Sequence, residues 1–69
     1  MSVLETHVSG IVTEVSDSAV SIKVYDDTIH TFSNLNEVFA SLDQEIKIGE
    51  VIGLLHTGKF DYKVSKYRG

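Results

Sequence analysis

Hydrophobic and polar positions alternate with a period of two along most of this chain. Over 20–25, Val20, Ile22 and Val24 fall on one face and Ser21, Lys23 and Tyr25 on the other. That is the pattern of a strand with one buried face. The run from Val8 to Val15 mixes β-branched and polar residues, and Ser16-Asp17-Ser18 after it predicts a turn, because short polar side chains bond back to the main chain. Asp26-Asp27 predicts a hairpin turn, although it lacks the glycine that two-residue turns prefer. Ile29–Ser33 returns as a strand, with Ile29 and Thr31 on one face and His30 and Phe32 on the other.

Residues 34–42 break the alternation. Leu35, Val38, Phe39 and Leu42 fall at helical spacing, and Asn34 and Glu37 stand three apart as in a capping box. At most one helical turn is expected near residues 35–41. Strand pattern resumes at Glu45-Ile46-Lys47, turns a corner at Gly49, and runs from Val51 to His56. Thr57-Gly58 predicts another turn. Phe60, Tyr62 and Val64 share one face of a closing strand that reaches Tyr67. The expected core is Val12, Val20, Ile22, Val24, Ile46, Val51, Ile52 and Leu54.

These elements predict an all-β chain, a compact barrel-sandwich hybrid of about six or seven short strands. Residues 1–7 read as an N-terminal arm and 8–69 as a single small β domain. At 69 residues there is room for one domain with a marginal core. There is no cysteine, so disulfides and thiol chemistry are excluded. The net charge of −4 argues against a binder of nucleic-acid phosphates. No apolar run approaches the roughly 20 residues of a membrane helix, and the first residues do not resemble a signal peptide. A cytoplasmic protein with no nucleic-acid or membrane partner is the expectation. The basic end (Lys63, Lys66, Arg68) reads as a solvated strand end rather than a binding patch.

Candidate chemistry is sparse. His7, His30 and His56 show no metal-ligand spacing and read as three unrelated, half-exposed histidines. Asp26-Asp27 reads as a turn rather than a catalytic carboxylate pair, since adjacent residues point apart. Thr57-Gly58-Lys59 lacks the glycine spacing of a phosphate loop, and no serine lies in a nucleophile elbow. No active site is read from the residues.

One stretch resembles a known pattern. Ile46-Lys47-Ile48-Gly49-Glu50-Val51-Ile52-Gly53-Leu54-Leu55 is similar to the V-x-x-G-x-x-I-G-x-x turn of barrel-sandwich hybrid domains. Gly49 would turn the corner and Gly53 would allow close backbone packing. Biotinyl and lipoyl carriers, glucose-type phosphocarriers and lysostaphin-type zinc peptidoglycan endopeptidases share that turn. The flanks resemble the last of these most. They match in Gly10-Ile11-Val12, the Val20–Val24 strand, the acidic hairpin, Thr31–Asn36, Thr57-Gly58 and the closing Phe60-Asp61-Tyr62-Lys63-Val64. The resemblance spans about residues 8 to 69 and implies a barrel-sandwich fold.

It does not carry the chemistry. The family's catalytic histidine of Ala-His-Leu-Ser falls on Asn34, which cannot shuttle a proton. The positions of its His-x-His motif hold Lys59-Phe60-Asp61, and its earlier zinc ligands have no counterpart, His7 lying too near Gly10. Asn34, Lys59 and Asp61 are therefore degenerate family positions. Lys47 is poorly placed for a carrier's modified lysine. The expectation is a shortened, non-enzymatic relative with no cofactor, serving as a protein-interaction module. The alternative is a small SH3-like or OB-like barrel acting as a regulator or inhibitor from a phage or mobile element. Phe32, Phe39, Phe60, Tyr62 and Tyr67 cannot all be buried in so small a barrel. Phe39, Leu42, Phe60 and Tyr62 are the expected surface for a protein partner or a homodimer.

The missing ligand set makes a first prediction. Purified protein should contain no stoichiometric zinc and should not cleave peptidoglycan. Elemental analysis that finds about one zinc per chain would contradict it.

Overall fold

The computed structural model describes residues 2–68. These residues are all-β, with eight strands in two antiparallel sheets, and form no helix. The strands are β1 (Ser2–Glu5), β2 (Gly10–Val15), β3 (Val20–Lys23), β4 (Thr28–Ser33), β5 (Glu37–Val38), β6 (Glu45–Ile46), β7 (Val51–Leu55) and β8 (Asp61–Lys66). A small sheet has the order β1-β7-β5 and a large one the order β6-β2-β3-β4-β8. The two sheets pack as a barrel-sandwich-like fold around one core. Val12, Val20, Ile22, Phe32 and Ile46 come from the large sheet, and Leu4, Ile52 and Leu55 from the small one.

Two strands stand where none was expected. The predicted N-terminal arm contributes β1, which pairs Ser2–Leu4 with Leu55–Gly53 and buries Leu4. The segment read as a helical turn contributes β5. Its backbone donors reach across to β7 instead of back along a helix: Asn36 N–H donates to Leu54 O at 2.7 Å and Phe39 N–H to Ile52 O at 2.9 Å. Asn34 starts the segment with φ 64°, a left-handed conformation that asparagine tolerates and a helix does not. The helical spacing of Leu35 and Val38 therefore reflects packing against a strand's side and not a helix face.

The β3–β4 turn also differs. It is a three-residue loop of Tyr25, Asp26 and Asp27, closed by Asp27 N–H to Val24 O at 3.0 Å and Val24 N–H to Thr28 O at 2.9 Å. Asp27 supplies the positive φ, 64°, that glycine would otherwise supply. Tyr25 therefore stands at the loop tip, 96% exposed, and not within the strand.

Five of the eight expected core residues are buried: Val12, Val20, Ile22, Ile46 and Ile52. Val24 and Leu54 are half-buried and Val51 is exposed. Val24 lies just past the end of β3, and in β7 the cause is a bulge. β1 sets Leu4 opposite Gly53 but Glu5 opposite Val51, so Ile52 is an extra residue in β7. A bulge shifts the phase of alternation by one. Ile52, Gly53 and Leu55 are buried as a result, and Leu55 takes the place that strict alternation gives to Leu54. Gly49 turns its corner with φ 94°. At Gly53 the reason for glycine is space, because a Cβ there would lie 2.5 Å from Glu37 O.

Ile22→Ala should cost about 2–5 kcal/mol through lost burial and the cavity left behind. Gly53→Ala should cost about 1–3 kcal/mol, because β5 must move away from β7. Denaturant unfolding checks both, and an unchanged midpoint for Ile22→Ala would contradict the packing described.

Candidate functional site

The uncovered end of the large sheet gathers most of the chain's unusual side chains. β8 pairs with β4 in the register Phe32↔Tyr62 and His30↔Val64. Side chains two apart share a face, so Phe32, His30, Tyr62 and Val64 stand together on the core-facing side. Phe32 is fully buried, whereas Tyr62 and Val64 keep 43% and 49% of their surface. All six residues of β8 are exposed. Phe60, just before β8, packs its ring 5.7 Å from that of Phe32.

His7 joins this cluster from the other sheet. Thr6 is buried and tied down on both sides, its N–H donating to Glu50 O and its carbonyl accepting from Gly49 N–H, each at 2.9 Å. Its hydroxyl donates to Val8 O at 2.7 Å, which turns the chain from β1 toward β2. That turn holds His7 over the aromatic face, with ring centroids 5.6 Å from Phe32, 5.0 Å from Tyr62 and 6.3 Å from His30.

A directional hydrogen-bond chain links these groups. Asp26 Oδ1 accepts from Thr28 N–H at 3.1 Å and from the Thr28 hydroxyl at 2.6 Å. The hydroxyl has one hydrogen and has donated it, so toward His30 Nε2, 3.0 Å away, it must accept. His30 therefore carries its hydrogen on Nε2. In the neutral ring Nδ1 is then an acceptor, and it receives the Tyr62 hydroxyl. Tyr62 Oη in turn accepts from His7 Nε2–H at 3.1 Å. The order Asp26, Thr28, His30, Tyr62, His7 fixes both tautomers. A second proton on His30 would make Nδ1 a donor and turn the Tyr62 hydrogen toward His7. The bonds from His30 to Thr28 and from Thr28 to Asp26 would keep their direction.

Two groups in it are shifted. The hydrogen bonds from the Thr28 side chain and backbone hold the Asp26 carboxyl below the usual aspartate value. Burial pushes the Tyr62 phenol above its ordinary value of 10.0. Tyr62 keeps 43% of its surface, and its hydroxyl lies within hydrogen-bond distance of both imidazoles.

The expected partner residues divide. Phe60 and Tyr62 belong to this cluster. Phe39 follows β5 and Leu42 lies in the next turn, and they are 47% and 60% exposed. The cluster's ring contacts do not include Phe39. Asn34, Lys59 and Asp61 are all exposed, and the Ser33↔Asp61 pairing sets them near one end of β4 and β8. His7 and His30 are not the unrelated residues expected of them, while His56 lies outside the cluster. Nothing in their spacing of 23 residues signals the meeting, which depends on sheet-to-sheet packing. A shallow apolar groove lined by Ile11, Val24, Tyr25, Ile46 and Ile48 was also missed. Tyr25 beside a turn was its one sequence signal. Among the described residues, no group of three or more His, Cys, Asp or Glu side chains is placed to hold a metal ion.

No family model, curated protein or solved structure matches this chain.

The chain of hydrogen bonds predicts that nitrogen NMR at pH above the imidazole range finds His30 in the Nε2–H form, and that Thr28→Val weakens that preference. Tyr62 should titrate above an ordinary tyrosine. Its raised value means the folded state holds the phenolic proton more tightly. The stability it adds is therefore present below about pH 10 and is lost as pH rises through the folded value. A Tyr62 that titrates at or below the ordinary value would contradict the geometry.

Proposed function

We propose that this chain is a non-catalytic protein-interaction module, as its resemblance to a shortened lysostaphin-type domain implies, and that its partner docks at the uncovered end of the large sheet. One observation carries the reading. β8 is a six-residue strand whose every side chain is exposed, and it adjoins an aromatic face at Phe60 and Tyr62. Exposed aromatic and apolar side chains at Tyr62 and Val64, beside Phe60, form the apolar part of that surface, and such patches mark binding sites. Tyrosine, with a large apolar ring and a polar tip, is also enriched at binding hot spots. The side chains at Asn34, Lys59 and Asp61 support the non-enzymatic half of the reading, since an amide, an amine and a single carboxylate do not assemble a hydrolytic centre.

A photo-crosslinking amino acid placed at Tyr62, in cells of the native host, tests the proposal. A discrete protein adduct should form from Tyr62 and from Val64, and not from the exposed turn residue Asp17. Equal labelling from all three positions, or no adduct from Tyr62, would overturn it.

A further inference from the structure

The large sheet ends in two edges of different character. At one end β6 is only two residues long, and at the other β8 offers six. In the small sheet the edge strands β1 and β5 have four and two residues. β8 pairs with β4 along one side, and among the described residues no strand occupies its other side. Such an edge presents a row of backbone donors and acceptors spaced to receive a further strand.

The charge of the chain is divided along the same line. Residues 59–68 hold four of the six basic residues and one of the ten acidic ones, net +3, which leaves the rest of the chain at net −7. Lys63 and Lys66 lie on opposite faces of β8, so cations flank the edge both above and below. Lysines on an edge commonly serve to repel another copy of the same edge. Here they do so. A second copy pairing antiparallel about a two-fold axis must align residues of like parity. The registers of greatest overlap set Lys63 against Lys63, or Lys63 against Ser65 with Lys66 against Tyr62. Neither sets Asp61 against a lysine.

An acidic strand meets the opposite situation. We infer that β8 captures an extended acidic segment of a partner protein by strand addition, an inference that rests on the interaction-module reading above. The side chains of β8 define the segment. Facing Lys66, Ser65, Val64, Lys63 and Tyr62 in antiparallel order, it reads acidic, any residue, apolar, acidic, apolar. Its two carboxylates meet Lys66 and Lys63 on opposite faces, and its apolar residues extend the Val64–Tyr62 surface. A nucleic acid would satisfy the charges but not the ladder, having no backbone amide to continue it, and the acidic remainder of the chain would repel it.

The test is a titration of nitrogen-15-labelled protein with the capped hexapeptide Glu-Thr-Val-Glu-Val-Thr at millimolar concentration, with Lys-Thr-Val-Lys-Val-Thr as the control. Saturable amide shifts should centre on Asp61–Lys66 and the facing residues of β4. The acidic peptide should bind at least about tenfold more tightly than the basic one. The double variant Lys63→Glu/Lys66→Glu should reverse that preference, and Lys63→Gln/Lys66→Gln should abolish it. Both lysines are exposed, and each variant's own amide spectrum reports its folding. Methylating alternate peptide nitrogens should abolish binding for the set that faces β8 and spare it for the other set. The inference is overturned by shifts centred elsewhere, by no shift on β8, or by a preference that survives charge reversal. It is equally overturned by concentration-dependent β8 shifts in the free protein, which mean self-pairing, or by a single-stranded oligonucleotide that displaces the peptide. If Tyr62 still crosslinks a partner in any of these cases, strand addition alone fails. If neither peptide nor crosslink is found, the interaction module fails with it.

Discussion

A five-stranded sheet has to be covered by a three-stranded one, and the rest of the structure follows from that mismatch. The inner strands of the large sheet are well covered: β3 buries Val20 and Ile22 on its core face, and Phe32 on β4 is fully buried. Leu4, Ile52 and Leu55 of the small sheet supply the opposing layer. The outermost strand has no such cover, and β8 is exposed along its whole length. A chain of 69 residues without disulfides has little stability to spare for a strand that buries so little. It holds β8 by the six-residue ladder to β4 and by aromatic contacts at one end.

Those contacts explain why polar groups stand at the margin of the core. Each edge-to-face or offset ring pair adds about 0.5–1.5 kcal/mol beyond simple burial. His7 extends the cover of the small sheet over Phe32 and Tyr62 without adding a strand. Imidazole and phenol groups are costly to bury unless their polar atoms are paired. Here Thr28, His30, Tyr62 and His7 pair one another, and the described residues leave no buried side-chain polar atom without a partner. The hydrogen-bond chain is thus the wet border of an apolar contact.

The sequence showed the fold class because alternation is a local signal and most strands here have one buried face. It showed the corner at Gly49 and the close approach at Gly53, because few residues but glycine serve either purpose. It misled at β7, where the bulge at Ile52 moved burial from Leu54 to Leu55, a shift set by pairing with β1. It misled at β5, because two residues are too few to show a period and their neighbours happen to fall at helical spacing. Of the candidate site, Phe60 and Tyr62 were legible as aromatic residues too many for so small a core. The meeting of His7 with His30 was not, since it depends on how one sheet lies on the other. The basic residues of β8 were visible as charges, but their meaning depends on the strand being an edge, which only the sheet order reveals.

The long open edge of β8, opposite a two-residue edge strand in the same sheet, is the centre of this account, and amide hydrogen exchange in the free protein tests it most directly. Backbone amides in β3 and β4, paired on both sides, should exchange only through global unfolding. In β8 protection should alternate, with amides aimed at β4 protected and those aimed outward exchanging at nearly the rate of an unfolded chain. Uniform protection along β8 in dilute monomeric protein would show that the edge is already covered, and would contradict the account.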